Sequence, residues 1–116
     1  MDTAKPKLHY FACYGRGEPI RLLFDFLKID YEEVVVPDVG AEGWDREKYE
    51  YKKVPIVEMD GMVMPETRAI LRYICLKNGH HPVDPVNNYK VNALLDHFYD
   101  VEIAYYNACF FTKPED

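Results

Sequence analysis

The stretch KVPIVEMDGMVMPETRAILRY, residues 53–73, decides the fold of this chain. Two short β-favouring runs flank Asp60-Gly61, and this dipeptide strongly favours a two-residue hairpin turn. Apolar residues then recur at helical spacing, which predicts a helix that begins at Glu66-Thr67. The start of such a helix offers free N–H groups, and here also a hydroxyl and a carboxylate. The stretch therefore predicts a ββα unit, read either as purely structural or as a receptor for the amino-acid end of a ligand.

The residues before this stretch predict a second unit, of the βαβ type. Residues 7–11 and 31–36 are strand candidates, and a glycine-containing loop at 13–17 leads into a helix with an acidic residue and a proline in its first turn. Two strands joined through a helix are expected to be parallel, with a right-handed crossover. Residues 1–79 are therefore predicted to form one mixed α/β domain with helices on the faces of its sheet.

A linker and a long helix are predicted to complete the chain. Residues 80–86, HHPVDPV, contain two prolines, and residues 87–111 lack glycine and proline and carry apolar side chains at helical spacing. A lone amphipathic helix cannot bury its own apolar stripe, so this one must pack on the α/β unit, on a partner chain or on other helices. The adjacent His80 and His81 are weak evidence for a metal site, because no further ligands stand at metal spacing.

Composition excludes several classes of protein. The net charge of −6, with acidic and basic residues interspersed along 116 residues, argues against a nucleic-acid binder. No apolar run approaches the length of a membrane span, and the amino terminus lacks the apolar core of a signal peptide. Three cysteines without a CxxC pair make a disulfide framework improbable, which favours a reducing, cytoplasmic compartment.

The order of these features resembles the glutathione-binding domain of the cytosolic glutathione transferases. KLHYFACYGRGEPIRLLF is similar to the first strand, active-site loop and first helix of the tyrosine-type classes, and the arrangement is closest to the sigma class. The resemblance implies an α/β fold, with a thioredoxin-like βαβ–ββα domain followed by a long α-helix. It makes residues 87–116 the first helix of a truncated all-helical domain, in either a fragment or a shortened protein.

The function implied by the resemblance is detoxifying transfer of the glutathione thiolate to small hydrophobic electrophiles. Tyr10 matches the hydroxyl that activates the thiol, and Arg16 matches a basic residue near that hydroxyl. Glutathione would be the cosubstrate, with no metal, and the expected assembly is a homodimer or a complex with a larger protein. A thiol with a reference pKa of about 8.5 needs a shift of about two units, worth roughly 3 kcal/mol, to be ionised at neutral pH.

The remaining matched positions would hold glutathione along its length. Trp44 and Lys48 match contacts to the glycyl end, and the backbone of Val54 matches the pairing with the cysteinyl part. Glu66 and Thr67 match the pair that grips the γ-glutamyl end, although sigma-type proteins commonly have Gln-Ser there. The resemblance also places Lys53 alongside the peptide, makes Pro55 the family's cis-proline, and matches Asp100 to an acid that reaches the glutathione of the partner subunit.

Two alternative functions remain open at this point. A glutathione-transferase-like scaffold would keep the fold without turnover and dock through the apolar stripe of residues 87–111. A thiol oxidoreductase would work through Cys13, which lies near the start of the first helix, where thiol pKa values are lowered. Tyr14 falls about where other classes carry a catalytic Ser or Cys. Cys75 and Cys109 lie on apolar helical stripes and are predicted to be buried packing residues.

Overall fold

The computed structural model of the protein describes residues 4–37, 47 and 52–111. The domain predicted from the hairpin stretch is present: a four-stranded mixed sheet with two helices, followed by a long third helix. The elements are β1 Lys7–Tyr10, α1 Glu18–Phe26, β2 Glu32–Val35, β3 Ile56–Met59, β4 Met62–Pro65, α2 Thr67–Lys77 and α3 Pro85–Tyr106, with a 3₁₀ turn at Gly15–Gly17 and a π-helical turn at Asn107–Phe111.

The sheet has the strand order β2-β1-β3-β4. β1 pairs with β2 in parallel and with β3 antiparallel, and β3 pairs with β4 antiparallel. The prediction of a parallel βαβ unit and an antiparallel hairpin is therefore confirmed. Leu8, in the middle of β1, lies between Glu33 of β2 and Val57 of β3.

The hairpin turn is fastened to the helix that follows it. Asp60 and Gly61 have φ angles of +52° and +75°, the conformation that a two-residue type I′ turn requires. The Asp60 carboxylate accepts hydrogen bonds from the Lys77 ammonium at 2.6 Å and from the Tyr73 hydroxyl. The bond from Lys77, followed by that from Tyr73, lowers the pKa of Asp60, and both bonds hold the hairpin turn against α2.

The main core lies between the sheet and the two helices of the first domain. Alternate residues of β1 and β3 point to this face, where they meet one apolar stripe of α1 and one of α2. The buried residues of this core are Leu8, Tyr10, Ile20, Phe24, Val57, Met59, Ile70 and Ile74. A smaller cluster around Val36 and Ile56 includes Phe11 and Val54.

The chain divides into two compact units, Met1–Asn78 and Gly79–Asp116. Within the second unit α3 begins at Pro85, two residues before the predicted helical stretch, because proline is tolerated in a first turn and the Asp84 carboxylate accepts the Asn87 N–H at 2.9 Å. None of the residues of α3 is buried. The predicted burial of Cys109 is wrong, since this residue is exposed, whereas Cys75 is half-buried on α2.

Trp44 and Lys48, which the resemblance matches to contacts with the glycyl end of glutathione, lie outside the described residues. None of the helices in the described part of the chain is both long and apolar enough to span a bilayer.

Candidate functional site

The candidate site is built around Tyr10, the last residue of β1. Its side chain belongs to the main core and Tyr10 is 8% exposed. The loop that follows β1 turns back over the ring, and the backbone N–H of Arg16 donates to the Tyr10 hydroxyl oxygen at 2.9 Å. Because the oxygen accepts this bond, its own proton is directed elsewhere and can be donated to a second atom.

Two glycines make the close approach of the loop possible. A Cβ atom at Gly15 would lie 2.2 Å from the Tyr10 hydroxyl oxygen, and one at Gly17 would lie 2.4 Å from the ring carbon Cδ1. Gly15 also has a φ of +40°, which L side chains rarely adopt. The sequence GRG therefore places an amide on the hydroxyl in a position that bulkier residues could not provide.

Arg21 of α1 lies beside the same ring, with its guanidinium carbon 5.7 Å from the centroid of Tyr10. The guanidinium donates to the carbonyl oxygens of Phe11 and Cys13, at 3.2 Å and 2.7 Å. It also pairs with the carboxylates of Glu18 and Glu33.

The start of α2 is linked to this loop. The Thr67 hydroxyl donates a long hydrogen bond, 3.4 Å, to the carbonyl oxygen of Arg16. Glu66, at the N-cap, has φ +74° and ψ +102°, a strained conformation for a residue with a side chain. Its carboxylate is exposed and makes no capping hydrogen bond to the helix, so it remains available at the surface.

The structure thus joins Tyr10, Arg16 and Thr67 by hydrogen bonds, and it places Val54 and Pro55 at the entry to β3, the strand beside β1. The Val54–Pro55 peptide bond is cis. Lys53 is exposed on the same segment. Asp100 is an exposed residue of α3, in the second unit.

Sequence reasoning missed two polar contacts of the first domain. One is Arg21, whose only local signal is its i,i+3 spacing from Glu18 on a helix. The other is the His9–Glu58 pair, in which the imidazole Nε2 of a buried histidine lies 2.8 Å from a carboxylate on β3. Among the described ranges 4–37, 47 and 52–111, no group of three or more His, Cys, Asp or Glu side chains is arranged to hold a metal ion.

The sheet order β2-β1-β3-β4, with one helix after β1 and another after β4, is that of a thioredoxin-like domain. Residues 6–75 match the family model described as "Glutathione S-transferase, N-terminal domain". The chain therefore belongs to the glutathione S-transferase family.

Individual relatives agree with this assignment. The chain is 40% identical to human "Glutathione S-transferase A3" over 96 residues, which cover 81% of this chain and 41% of that protein. It is 33% identical to mouse "Glutathione S-transferase A4" over an alignment of 122 residues, gaps included, which covers 97% of this chain and 52% of that protein. The chain thus spans about half the length, or less, of these curated relatives.

Solved structures show the same fold. A Caenorhabditis elegans glutathione S-transferase superposes with a TM-score of 0.79 at 32% identity, over 97% of this chain and 57% of that one. The Nu-class GST from Haemonchus contortus superposes with a TM-score of 0.72 at 29% identity, over 83% of this chain and 47% of that one.

Proposed function

We propose that the chain binds glutathione and activates its thiol for transfer to small hydrophobic electrophiles, by itself or as the glutathione-binding portion of a longer transferase. The observation that carries the proposal is the hydrogen bond from the Arg16 amide to the Tyr10 hydroxyl oxygen. This bond fixes a phenol beside a helix start, which is the kind of donor that a cysteinyl thiolate requires.

The chemistry follows from the charge that develops on sulfur. A hydrogen bond from Tyr10 stabilises the thiolate but not the thiol, and the N-terminal amides of α1 together with the Arg16 guanidinium, on the same loop, favour negative charge nearby. Together they would supply the roughly 3 kcal/mol that a shift of about two pKa units requires. The thiolate then attacks the electrophile directly and displaces its leaving group.

The rest of the glutathione site is part of the same proposal. The Val54 backbone would pair with the cysteinyl part, next to the cis bond to Pro55, and Glu66 and Thr67 would hold the γ-glutamyl end. The exposed carboxylate of Glu66 suits the ammonium group of that end, and the first-turn amides of α2 suit its carboxylate. The Thr67 hydroxyl would donate to that carboxylate in place of its long, 3.4 Å bond to the Arg16 carbonyl oxygen. Trp44, Lys48 and Lys53 would contact the rest of the peptide, and Asp100 would reach glutathione in a partner subunit.

We propose a tyrosine-type transferase with a sigma-like arrangement of site residues, although the curated relatives given above carry A-type names. We further propose that residues 87–116 begin an all-helical domain after a linker at 80–86, and that the protein works in the cytoplasm as a homodimer.

Isothermal titration with glutathione tests binding, and the Tyr10→Phe variant tests the chemistry. We expect glutathione to bind at millimolar concentration or below, and Tyr10→Phe to bind within about threefold of the wild type. The variant should lose the ultraviolet absorbance of the bound thiolate and conjugate a model aryl halide at least about tenfold more slowly, since one hydrogen bond to a charged group is removed. Tyr14→Phe is the matched control, because Tyr14 is 79% exposed.

The outcomes separate the alternatives. If glutathione does not bind at millimolar concentration, the proposal is wrong. If it binds and Tyr14→Phe, not Tyr10→Phe, slows conjugation, the activating hydroxyl has been misassigned. An unchanged disulfide reductase rate in Cys13→Ser would rule out the thiol oxidoreductase alternative.

A second candidate function is a glutathione-binding scaffold without turnover, favoured by the exposed apolar surface of α3. Surfaces of this kind mark sites of association. The exposed apolar residues of this helix and its π-helical extension are Val86, Tyr89, Val91, Leu94, Phe98, Val101, Tyr105 and Phe110. A chain that binds glutathione, shows no conjugation and assembles through α3 would support the scaffold; a stable monomer with full activity would contradict it.

A further inference from the structure

One guanidinium, that of Arg21, holds both ends of the turn that follows β1. Its Nη1 donates to the carbonyl oxygen of Cys13 at 2.7 Å, and its Nη2 donates to that of Phe11 at 3.2 Å. The turn itself is closed by the Cys13 N–H, which donates to the Phe11 carbonyl at 2.8 Å. Arg21 therefore fixes the direction in which the chain leaves Tyr10.

The guanidinium is itself held by two carboxylates. Nη1 lies 2.9 Å from Glu18 Oε2 on the same helix, and Nε donates to Glu33 Oε1 on β2. The Arg21 side chain is only 14% exposed. Partial burial works against its charge, but the hydrogen bonds with Glu18 and Glu33 outweigh that cost and raise the pKa of Arg21. A planar fork with five donors can satisfy all four acceptors at once, which a lysine ammonium cannot do.

The charges decide how this cluster can influence Tyr10. Arg21 stands 5.7 Å from the ring centroid, so a direct effect of its positive charge is conceivable. However, two negative carboxylates contact the same guanidinium, so the cluster as a whole offers the ring no excess positive charge. The contribution that remains is geometric: the turn at Phe11–Cys13 leads directly into the 3₁₀ turn that carries the Arg16 amide.

We propose that Arg21 is a positioning residue: its guanidinium fork holds the loop after β1 so that the Arg16 N–H stays on the Tyr10 hydroxyl oxygen. Its consequence for thiol activation rests on the proposed transferase function. The effect on the loop does not, because the hydrogen bond joins two groups of the chain itself.

Amide hydrogen exchange of the whole chain, read by NMR, tests the effect on the loop. Arg21→Lys keeps the charge and most of the side-chain volume but loses the fork. We expect the Arg16 amide to exchange about tenfold faster in this variant, since local opening then costs less, while the amides of Val57 and Ile74 in the core exchange at nearly the wild-type rate. Arg72→Lys, an equivalent change on α2, is the matched control.

A purely structural role for Arg21 would give a different pattern. Loss of global stability accelerates exchange of all core amides by one common factor, so equal acceleration at Arg16 and Val57 overturns the proposal. So does unchanged exchange at Arg16 in a folded Arg21→Lys. If Arg21→Lys does not fold, Glu33→Gln replaces it, because Glu33 is 42% exposed and lies outside the core. This variant should accelerate Arg16 exchange about threefold, and no acceleration would overturn the proposal.

A second measurement addresses the chemistry. With glutathione bound, Arg21→Lys should raise the pH at which the thiolate absorbance appears by about one unit, the value of one hydrogen bond. The affinity for S-methylglutathione, which has no ionisable thiol, should change less than about twofold. If the wild type binds no glutathione while Arg16 exchange still responds to Arg21→Lys, the proposed function fails and the positioning role stands. If glutathione binds and neither readout responds, the positioning role alone fails.

Discussion

Replacing Gly17 with alanine tests whether the loop over Tyr10 depends on direct contact with the ring. Gly17 has φ −79° and ψ −24°, an ordinary helical conformation, so its backbone alone does not require glycine. At such a position, glycine-to-alanine changes normally stabilise a protein by about 0.4–1 kcal/mol, because the unfolded chain loses freedom. The backbone argument by itself therefore predicts a more stable variant.

Contact with the ring predicts the opposite sign. The added Cβ would lie 2.4 Å from Cδ1 and 2.7 Å from Cγ of Tyr10. Cγ is attached close to the backbone of β1, and the ring is packed in the core, so it cannot swing aside freely. Overpacking of this kind costs about 1–3 kcal/mol, which exceeds the entropic gain. We therefore expect Gly17→Ala to lower the free energy of unfolding by about 1–2 kcal/mol.

Urea unfolding followed by circular dichroism measures this free energy, and a double-mutant cycle identifies its cause. In a Tyr10→Leu background the ring is gone, so Gly17→Ala should become neutral or stabilising, with a coupling energy of about 2 kcal/mol. Gly61→Ala is a control of another kind, since its Cβ would meet nothing within 4 Å and only the φ of +75° is penalised. A Gly17→Ala cost that is identical in both backgrounds would refute the reasoning.

Other perturbations address the hairpin, the helix start and the thiols. Asp60→Asn should lower the free energy of unfolding, measured with urea at neutral pH, by about 0.5–1 kcal/mol. Because Lys77 lowers the Asp60 pKa, this wild-type advantage should be present above pH 3.8 and disappear as the pH falls through the folded-state pKa. A difference that stays constant across the acid range would contradict the assignment. Glu66→Gly should raise the free energy of unfolding by about 1 kcal/mol, since it relieves a φ of +74°. It should also weaken glutathione binding in calorimetry, because the Glu66 carboxylate is lost. An unchanged free energy of unfolding would argue against strain at Glu66. Burial raises the pKa of the Cys75 thiol, so mass spectrometry should show Cys75 alkylated more slowly than the exposed Cys13, and equal rates would contradict its burial.

Local patterns in the sequence were enough to predict the domain. The Asp60-Gly61 turn, the helical spacing after it and the β-favouring runs before it each depend on residues close together in the chain. The structure confirms the parallel and antiparallel pairings that follow from this order. The same local logic misjudged Cys109, because an apolar helical stripe shows which face is suited to burial and not what covers it.

The contacts around Tyr10, unlike these local patterns, form only when the chain folds. Only the folded loop brings the Arg16 amide to the Tyr10 hydroxyl, and no spacing rule pairs an amide with a side chain six positions earlier. Only the packing of α1 against β2 brings Arg21 to Glu33, 12 positions apart. The sequence by itself determined the order of strands, turns and helices, since periodicity and turn chemistry are local properties. The tertiary structure alone decided which donor meets which acceptor around Tyr10, since that depends on how β1, α1 and β2 pack.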